Sequence, residues 1–356
     1  MSGAIRVAIL GAGIGREHLA AYRQLPERFE VKAVCDLDRD RAASIIQDNA
    51  IRIETDAARM LSDPEIDLID VCLPPHLHFE MAVRALQAGK HVVCEKPLVC
   101  SLKEADALIE VAAGSKGSLI PVFQYRYGPA ITQLHALMEA GLTGRPYAAS
   151  LETHWNRNAE YYAVPWRGTW AGEQGGAVLG HAIHNHDLLM HILGPVARLS
   201  AMTTTRVNGI EVEDCAAISF QMENGAVASS SITLGAASDT TRLRICFEGL
   251  TAESGPEPYA PATGPWRFEA REPADQTRVD EVVASVPAVK TGFTGFFEAL
   301  ADSLAGQGGR EVTLADGRRS IELVTAIYHA SRFDKVVKLP LAAGTTLYES
   351  WIPTET

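Results

Sequence analysis

The apolar positions of this 356-residue chain fall into two regimes. Up to about residue 122, short unbroken β-rich runs alternate with stretches of helical spacing. The runs "IRVAIL" (starting at Ile5), "FEVKAVCD", "IDLIDVCLP", "HVVCEKP" and "SLIPVFQ" have the continuous hydrophobicity of strands buried on both faces. Between them lie helical stretches such as "LAAYRQLP", "HFEMAVRALQAGK" and "SLKEADALIEVAAGSKG". Strands alternating with helices of this length predict a doubly wound parallel sheet, whose ligands sit at the carboxyl ends of the strands. From Phe123 the strands lengthen and alternate polar with apolar residues, as in "RPYAASLETHW", "CAAISFQMENGAVASSSITL" and "TRLRICFEG". Such alternation describes a sheet with one packed and one wetter face. Asn224 and Gly225 predict a hairpin turn. "GFFEALADSLAGQ" and "LADGRRSIELVTAIYHASR" predict two further helices, "KVVKLPL" a last strand, and "GLTAESGPEPYAPATGP" a loop. The division expected is 1–122 and 123–356.

The first strand breaks into "GAGIGREH". Gly11 and Gly13, with Ile14 and Gly15, form a tight turn that lets backbone N–H groups approach a pyrophosphate at the positive end of the next helix. The second strand ends on Asp36, 25 residues beyond Gly11. A carboxylate there accepts both ribose hydroxyls of an adenosine and repels a 2′-phosphate, which favours NAD over NADP. Arg16 stands where the third glycine of G-x-G-x-x-G belongs. Lys96, in "CEKP", lies at another strand's carboxyl end, where a lysine is a functional candidate as well as an ordinary solvated charge.

The segment "GGAVLGHAIHNHD" carries three histidines and an aspartate. Its apolar spacing, closed by Gly194 and Pro195, predicts a helix on which His181, His184 and Asp187 share roughly one face while His186 points elsewhere. Three readings compete: a metal site, for which strong zinc signatures such as H-E-x-x-H are absent; imidazoles lining an ordinary helix; and acid/base chemistry. Along the strand "ETHWN", His154 and Asn156 share a face with Glu152 and oppose Trp155, so they reach sugar hydroxyls if that face looks into the cleft.

Taken together, the glycine turn, "LPPHLH", "CEKP", "PWRGTW", the "GG…H…D" segment and the terminal "LADGRRSIELVTAIYHASR" resemble the Gfo/Idh/MocA family of NAD(P)-dependent oxidoreductases. The resemblance implies an amino-terminal Rossmann domain followed by an α+β domain with a large, mostly antiparallel sheet, helices on one face and subunit contacts on the other. It implies Leu73, Pro74 and His78 along the cofactor, Glu95 and Lys96 near the nicotinamide and its ribose, and His184 as the catalytic histidine. Trp166 and Arg167, from the family-like "PWRG" turn, are expected over the nicotinamide or the sugar's apolar face. The family often carries Asp or Asn four places before the histidine; here that position is Gly180, and His181 is a candidate substitute.

Removing hydride from a carbinol carbon requires a base titrating near neutrality for the hydroxyl proton and a fixed positive charge for the oxygen. His184 and Lys96 suit these roles, with Lys96, His154, Asn156, Trp166, His181, His184 and Asp187 as candidate substrate contacts. The activity expected is NAD-dependent oxidation of a secondary hydroxyl of a sugar, sugar derivative or cyclitol, or reduction of the matching ketone. A glycosidase using transient ring oxidation is the alternative, and a nucleotide-sensing regulator ranks last.

The formal charge of -12 opposes nucleic acid and anionic membrane surfaces as partners. Six cysteines without metal-type pairing, and a first strand that starts almost at once, suit a reduced, cytoplasmic protein. A homodimer or homotetramer is expected from the open sheet face.

Overall fold

The computed structural model describes residues 3–46, 50–342 and 344–353. Two compact units form: Met1–Val122 with Phe293–Ile321, and Phe123–Gly292 with Glu322–Thr356. The second domain is therefore not the single run 123–356, because 293–321 crosses back.

The first unit strings together β1 (Ile5–Leu10), α1 (Gly15–Tyr22), β2 (Phe29–Cys35), α2 (Arg39–Ile45), β3 (Arg52–Glu54), α3 (Ala57–Ser62), β4 (Leu68–Val71), α4 (His78–Gln87), β5 (His91–Cys94), α5 (Leu102–Ala113) and β6 (Leu119–Pro121). The strands pair in the order β3-β2-β1-β4-β5-β6, all parallel. The order reverses between β1 and β4, which is the switch point where such sheets take ligands.

The second unit contains α6 (Pro129–Glu139), β7 (Pro146–Asn156), a π turn (Val178–Ala182) running into α7 (Ile183–Leu193), and β8 (Val196–Thr204). After these come β9 (Cys215–Met222), β10 (Val227–Thr233), β11 (Gly235–Phe247), β12 (Leu250–Glu253), β13 (Arg267–Ala270) and α8 (Gln276–Ser285). The chain closes with α9 (Gly292–Leu304), α10 (Leu314–Phe333) and β14 (Val337–Lys338), the unit division falling inside both helices. The eight-stranded sheet runs β13-β12-β11-β7-β10-β9-β8-β14 and is antiparallel except for β10 against β7. The stretch expected as loop begins as a strand: Leu250–Glu253 pairs with both β11 and β13.

The crossing of 293–321 has a packing cause. Phe297 stacks on Tyr22 of α1 at 3.9 Å between ring centroids and meets Phe29 at 6.0 Å, while Arg318 pairs with Asp106 of α5 at 2.6 Å. An amphipathic pattern shows that a helix has an apolar face, not which core receives it.

In the second unit, Trp351 is fully buried, its indole N–H donating to the carbonyl of Gln174 and its ring 5.8 Å from that of Tyr328. Trp351→Ala is expected to lower unfolding free energy by about 3 to 5 kcal/mol, read by urea unfolding, because a large cavity and an unpaired carbonyl remain.

Candidate active site

In the first unit the glycine turn opens α1. Gly11 has φ +100°, and a β-carbon there would lie 2.3 Å from the carbonyl oxygen of Cys72, so only glycine lets the turn pass this close to the end of β4. A β-carbon on Gly15 would strike Ile9 at 2.8 Å, whereas Gly13 faces open space. Ile14, at the helix entrance, is exposed and supplies no side-chain cap; the amides of Arg16 and Glu17 donate back to the carbonyls of Gly13 (3.3 Å) and Ile14 (2.9 Å), so it is the exposed turn at Gly13 and Ile14, at the positive end of α1, that faces a ligand. These features fit a dinucleotide's pyrophosphate.

Asp36 follows β2 and is buried. Its carboxylate accepts from the amides of Ala12 (2.8 Å) and Asp38 (2.9 Å) and from Arg41 through two nitrogens (2.6 and 3.0 Å). Burial alone would raise its pKa, but these donors outweigh it and hold the group below its ordinary value.

Leu73 and Pro74 are half-buried just past β4. His78, expected along the cofactor, is fully buried: its two ring nitrogens lie 2.7 Å from the carbonyl oxygens of Pro97 and Leu73. Burial lowers its pKa against the opposing pull of those carbonyls. It clips two strand-end loops together and is not an exposed ligand. Glu95 is also buried, one oxygen 3.0 Å from the ring of His18 and the other accepting from the Lys96 amide at 3.0 Å. Lys96 is half-buried.

In the second unit, α7 is buried along all but one of its residues and lies on the sheet. Asn185 donates to Thr153 of β7 (2.7 Å), and His186 meets Ser230 of β10 (3.0 Å). Burial pushes His186 down to about 4, so it is a neutral structural histidine. The continuous α-helix expected from 178 is replaced at its start by the π turn, whose wider winding breaks the i, i+3 register. His184 stacks on Tyr125 (4.6 Å, 21° between planes) and meets Phe123 edge-on. Asp187, expected to touch substrate, is 1% exposed and held by Arg126 through contacts of 2.6 and 2.8 Å. His181 instead meets Trp155 (5.5 Å between centroids) and the hydroxyl of Tyr161 (3.3 Å). At Gly180 a β-carbon would touch nothing.

The π turn is fastened by Glu213, whose carboxylate accepts from the amides of Gly176 (3.1 Å) and Val178 (3.0 Å) and from the Tyr328 hydroxyl (3.0 Å). Gly176 is required, since a β-carbon would fall 1.9 Å from the carbonyl oxygen of Glu213.

His154 and Asn156 correct an expectation. Thr153 and Trp155 take the face toward α7, so strand alternation puts His154 and Asn156 on the opposite face, where His154 meets Ser231 at 3.0 Å and Asn156 is exposed. Nearer the histidines, the Arg167 guanidinium lies over Tyr161 at 3.8 Å and 5.1 Å from the Trp166 ring. Its Nε and one terminal nitrogen are buried with no hydrogen-bond partner among the described residues. Buried donors of this kind are ordinarily satisfied by an acceptor from water, an ion or a ligand. Sequence reasoning passed over Tyr125, Arg126 and Glu213, none of which stands in a recognisable motif.

Residues 5–122 match the oxidoreductase family with an NAD-binding Rossmann fold, and 131–253 match the GFO/IDH/MocA C-terminal domain. The chain belongs to the Gfo/Idh/MocA oxidoreductase family. D-apiose dehydrogenase of Paraburkholderia graminis is 26% identical, over 93% of this chain and 89% of that protein. Inositol 2-dehydrogenase 2 of Saccharopolyspora erythraea is 24% identical, over 97% and 98%. Other curated relatives are matched over as little as 44% of their length. The WlbA dehydrogenase of Bordetella pertussis, solved with NADH and UDP-GlcNAcA, superposes with a TM-score of 0.85 at 26% identity, covering 96% of this chain and 99% of that one. The family's NAD-binding domain thus coincides with the parallel sheet and its glycine turn.

Burial raises Glu213 from 4.5 to about 7 against the pull of its three donors. Between those values the folded state binds more protons than the unfolded, so stability falls as pH climbs through the window and levels off above it. The loss expected is roughly 3 kcal/mol. Denaturant unfolding across this range checks it, and Glu213→Gln should flatten this part of the slope.

Proposed function

We propose that the protein is an NAD-dependent dehydrogenase oxidising a secondary hydroxyl of a sugar, sugar derivative or cyclitol, or reducing the matching ketone. The observation that carries this reading is the uncapped glycine turn with Asp36 at the next strand end, joined to the dehydrogenase relatives of sugar and cyclitol substrates. NAD, held by the glycine turn and Asp36, would supply the hydride acceptor, the overall balance being carbinol and NAD+ to carbonyl, NADH and one proton. The residues do the rest.

His184 accepts the hydroxyl proton in oxidation and returns it in reduction, an imidazole being suited to both near neutrality. Tyr125, stacked on it, and Phe123 fix the ring plane in place of the polar partner that Gly180 does not supply. Lys96 places its ammonium on the same oxygen and stabilises the charge that grows there. This assignment requires the two side chains to converge on one carbinol. Asp36 holds the adenosine ribose and disfavours a 2′-phosphate, with Arg41 as its neighbouring cation. Gly11, Gly13, Ile14, Gly15, Leu73 and Pro74 take the dinucleotide. The unpartnered nitrogens of Arg167 receive an acceptor from cofactor or substrate, and Trp166 covers an apolar face. His181 binds a substrate hydroxyl or orders the site near His184.

Six free cysteines suit a cytoplasmic location, and no helix among the described residues is long and apolar enough to cross a membrane. A second copy of the chain is the partner expected: the sheet face opposite α7 exposes Ala217, Ser219, Ser229 and Ser231, with Val227 and Met202 also exposed on β10 and β8.

A panel of sugars and cyclitols assayed with NAD and NADP, in both directions, tests the reading. Net NADH formation is expected, with Asp36→Ala shifting preference toward NADP. Aglycone release without net NADH would replace the dehydrogenase by the glycosidase. His184→Ala should lower kcat at neutral pH by about 100-fold or more; near-normal turnover would remove His184 from the chemistry. Tyr125→Ala should lower kcat about two- to tenfold with KM little changed, the stacking being worth about 0.5 to 1.5 kcal/mol.

A further inference from the structure

His18 lies on the first turn of α1, directly behind the glycine turn, and is fully buried. Its Nδ1 is 2.8 Å from a carboxylate oxygen of Asp70 on β4, and its Nε2 is 3.0 Å from a carboxylate oxygen of Glu95, just past β5. The Cys72 thiol is 3.4 Å from Nδ1 and 3.5 Å from Asp70. Phe293 and Phe297 close the cluster at 4.5 and 5.3 Å from the imidazole, and Tyr22 is packed beside it under Phe297. Asp70 is fully buried and Glu95 nearly so.

Two carboxylates facing opposite edges of one ring call for a donor at each nitrogen, which only the imidazolium offers. Burial by itself would strip that proton, but Asp70's charge and hydrogen bond win, holding His18 well above the ordinary histidine range. The ring therefore acts as a buried cation between two anions. Glu95's second oxygen accepts from the Lys96 amide, so the chain His18, Glu95, Lys96 links the helix behind the glycine turn to the segment carrying the ammonium.

We propose that His18 is a positioning residue for Lys96: its imidazolium clamps Glu95 between the carboxyl ends of β4 and β5 and so fixes the backbone from which the lysine projects. Breaking a buried ion pair by removing one partner is severe, because the remaining charges lie uncompensated in apolar surroundings. His18→Gln leaves Asp70 and Glu95 in that state. His18→Gln/Asp70→Asn restores the cluster's original net charge of -1 with only neutral groups beside Glu95.

The kinetic arm rests on the dehydrogenase reading. His18→Gln is expected to lower kcat for the sugar at least about tenfold while the dissociation constant for NADH, read by fluorescence, changes less than about threefold. The double variant should recover kcat to within about threefold of the parent. A single variant matching the parent, or a double variant no better than the single, overturns the proposal. A second arm needs neither turnover nor a folded variant: nitrogen-15 NMR of the parent protein should show both His18 ring nitrogens protonated at neutral pH, where an ordinary histidine is mostly neutral. A neutral ring there overturns the proposal even in an active enzyme. If no sugar is oxidised, the dehydrogenase reading fails while the NMR result still decides the state of His18.

Discussion

The site in the second unit depends on the buried pair of Arg126 and Asp187. Both side chains are nearly sealed from solvent, and the guanidinium spans both oxygens of the carboxylate in the bidentate geometry that arginine allows. The pair ties residues 123–126 to the middle of α7. Phe123 and Tyr125 lie in that tied segment, and they hold the ring of His184. A pair so deep contributes little net stability compared with apolar packing, yet it specifies which residues meet.

The two units solve a similar problem by similar means. In each, the segment that bears a candidate catalytic group is anchored by a buried carboxylate. Glu213 gathers the amides of the π turn ahead of His184; Glu95 takes the amide of Lys96 and leans on His18. Backbone N–H groups at element ends have no partners of their own kind, and a carboxylate satisfies two or three at once. The cost is desolvation, visible in the raised pKa of Glu213.

How much of this could be read in the sequence follows from the physics of each feature. Unbroken apolar runs announce buried parallel strands, and the glycine turn with its distant aspartate is a local pattern, so the Rossmann sheet and its cofactor end were legible. The polar-to-apolar alternation of "ETHWN" was also legible, but not which face would meet α7; His154 and Asn156 went to the other one. The π turn depends on Glu213, 31 residues downstream of the last turn residue, and no local periodicity encodes that. His18 and Arg126 have their partners 52 or more residues away, which only folding brings near. The helix 292–304 showed its apolar face plainly, while its destination beside Tyr22 and Phe29 was a matter of complementary aromatic shapes.

Gly180 carries one more implication. In the π turn ahead of α7, a β-carbon added at Gly180 would meet no described atom within 4 Å. A methyl group can therefore be added here, inside the buried run that leads into α7, without displacing a described neighbour, so this position takes a change of side chain that the close-packed Gly176 cannot.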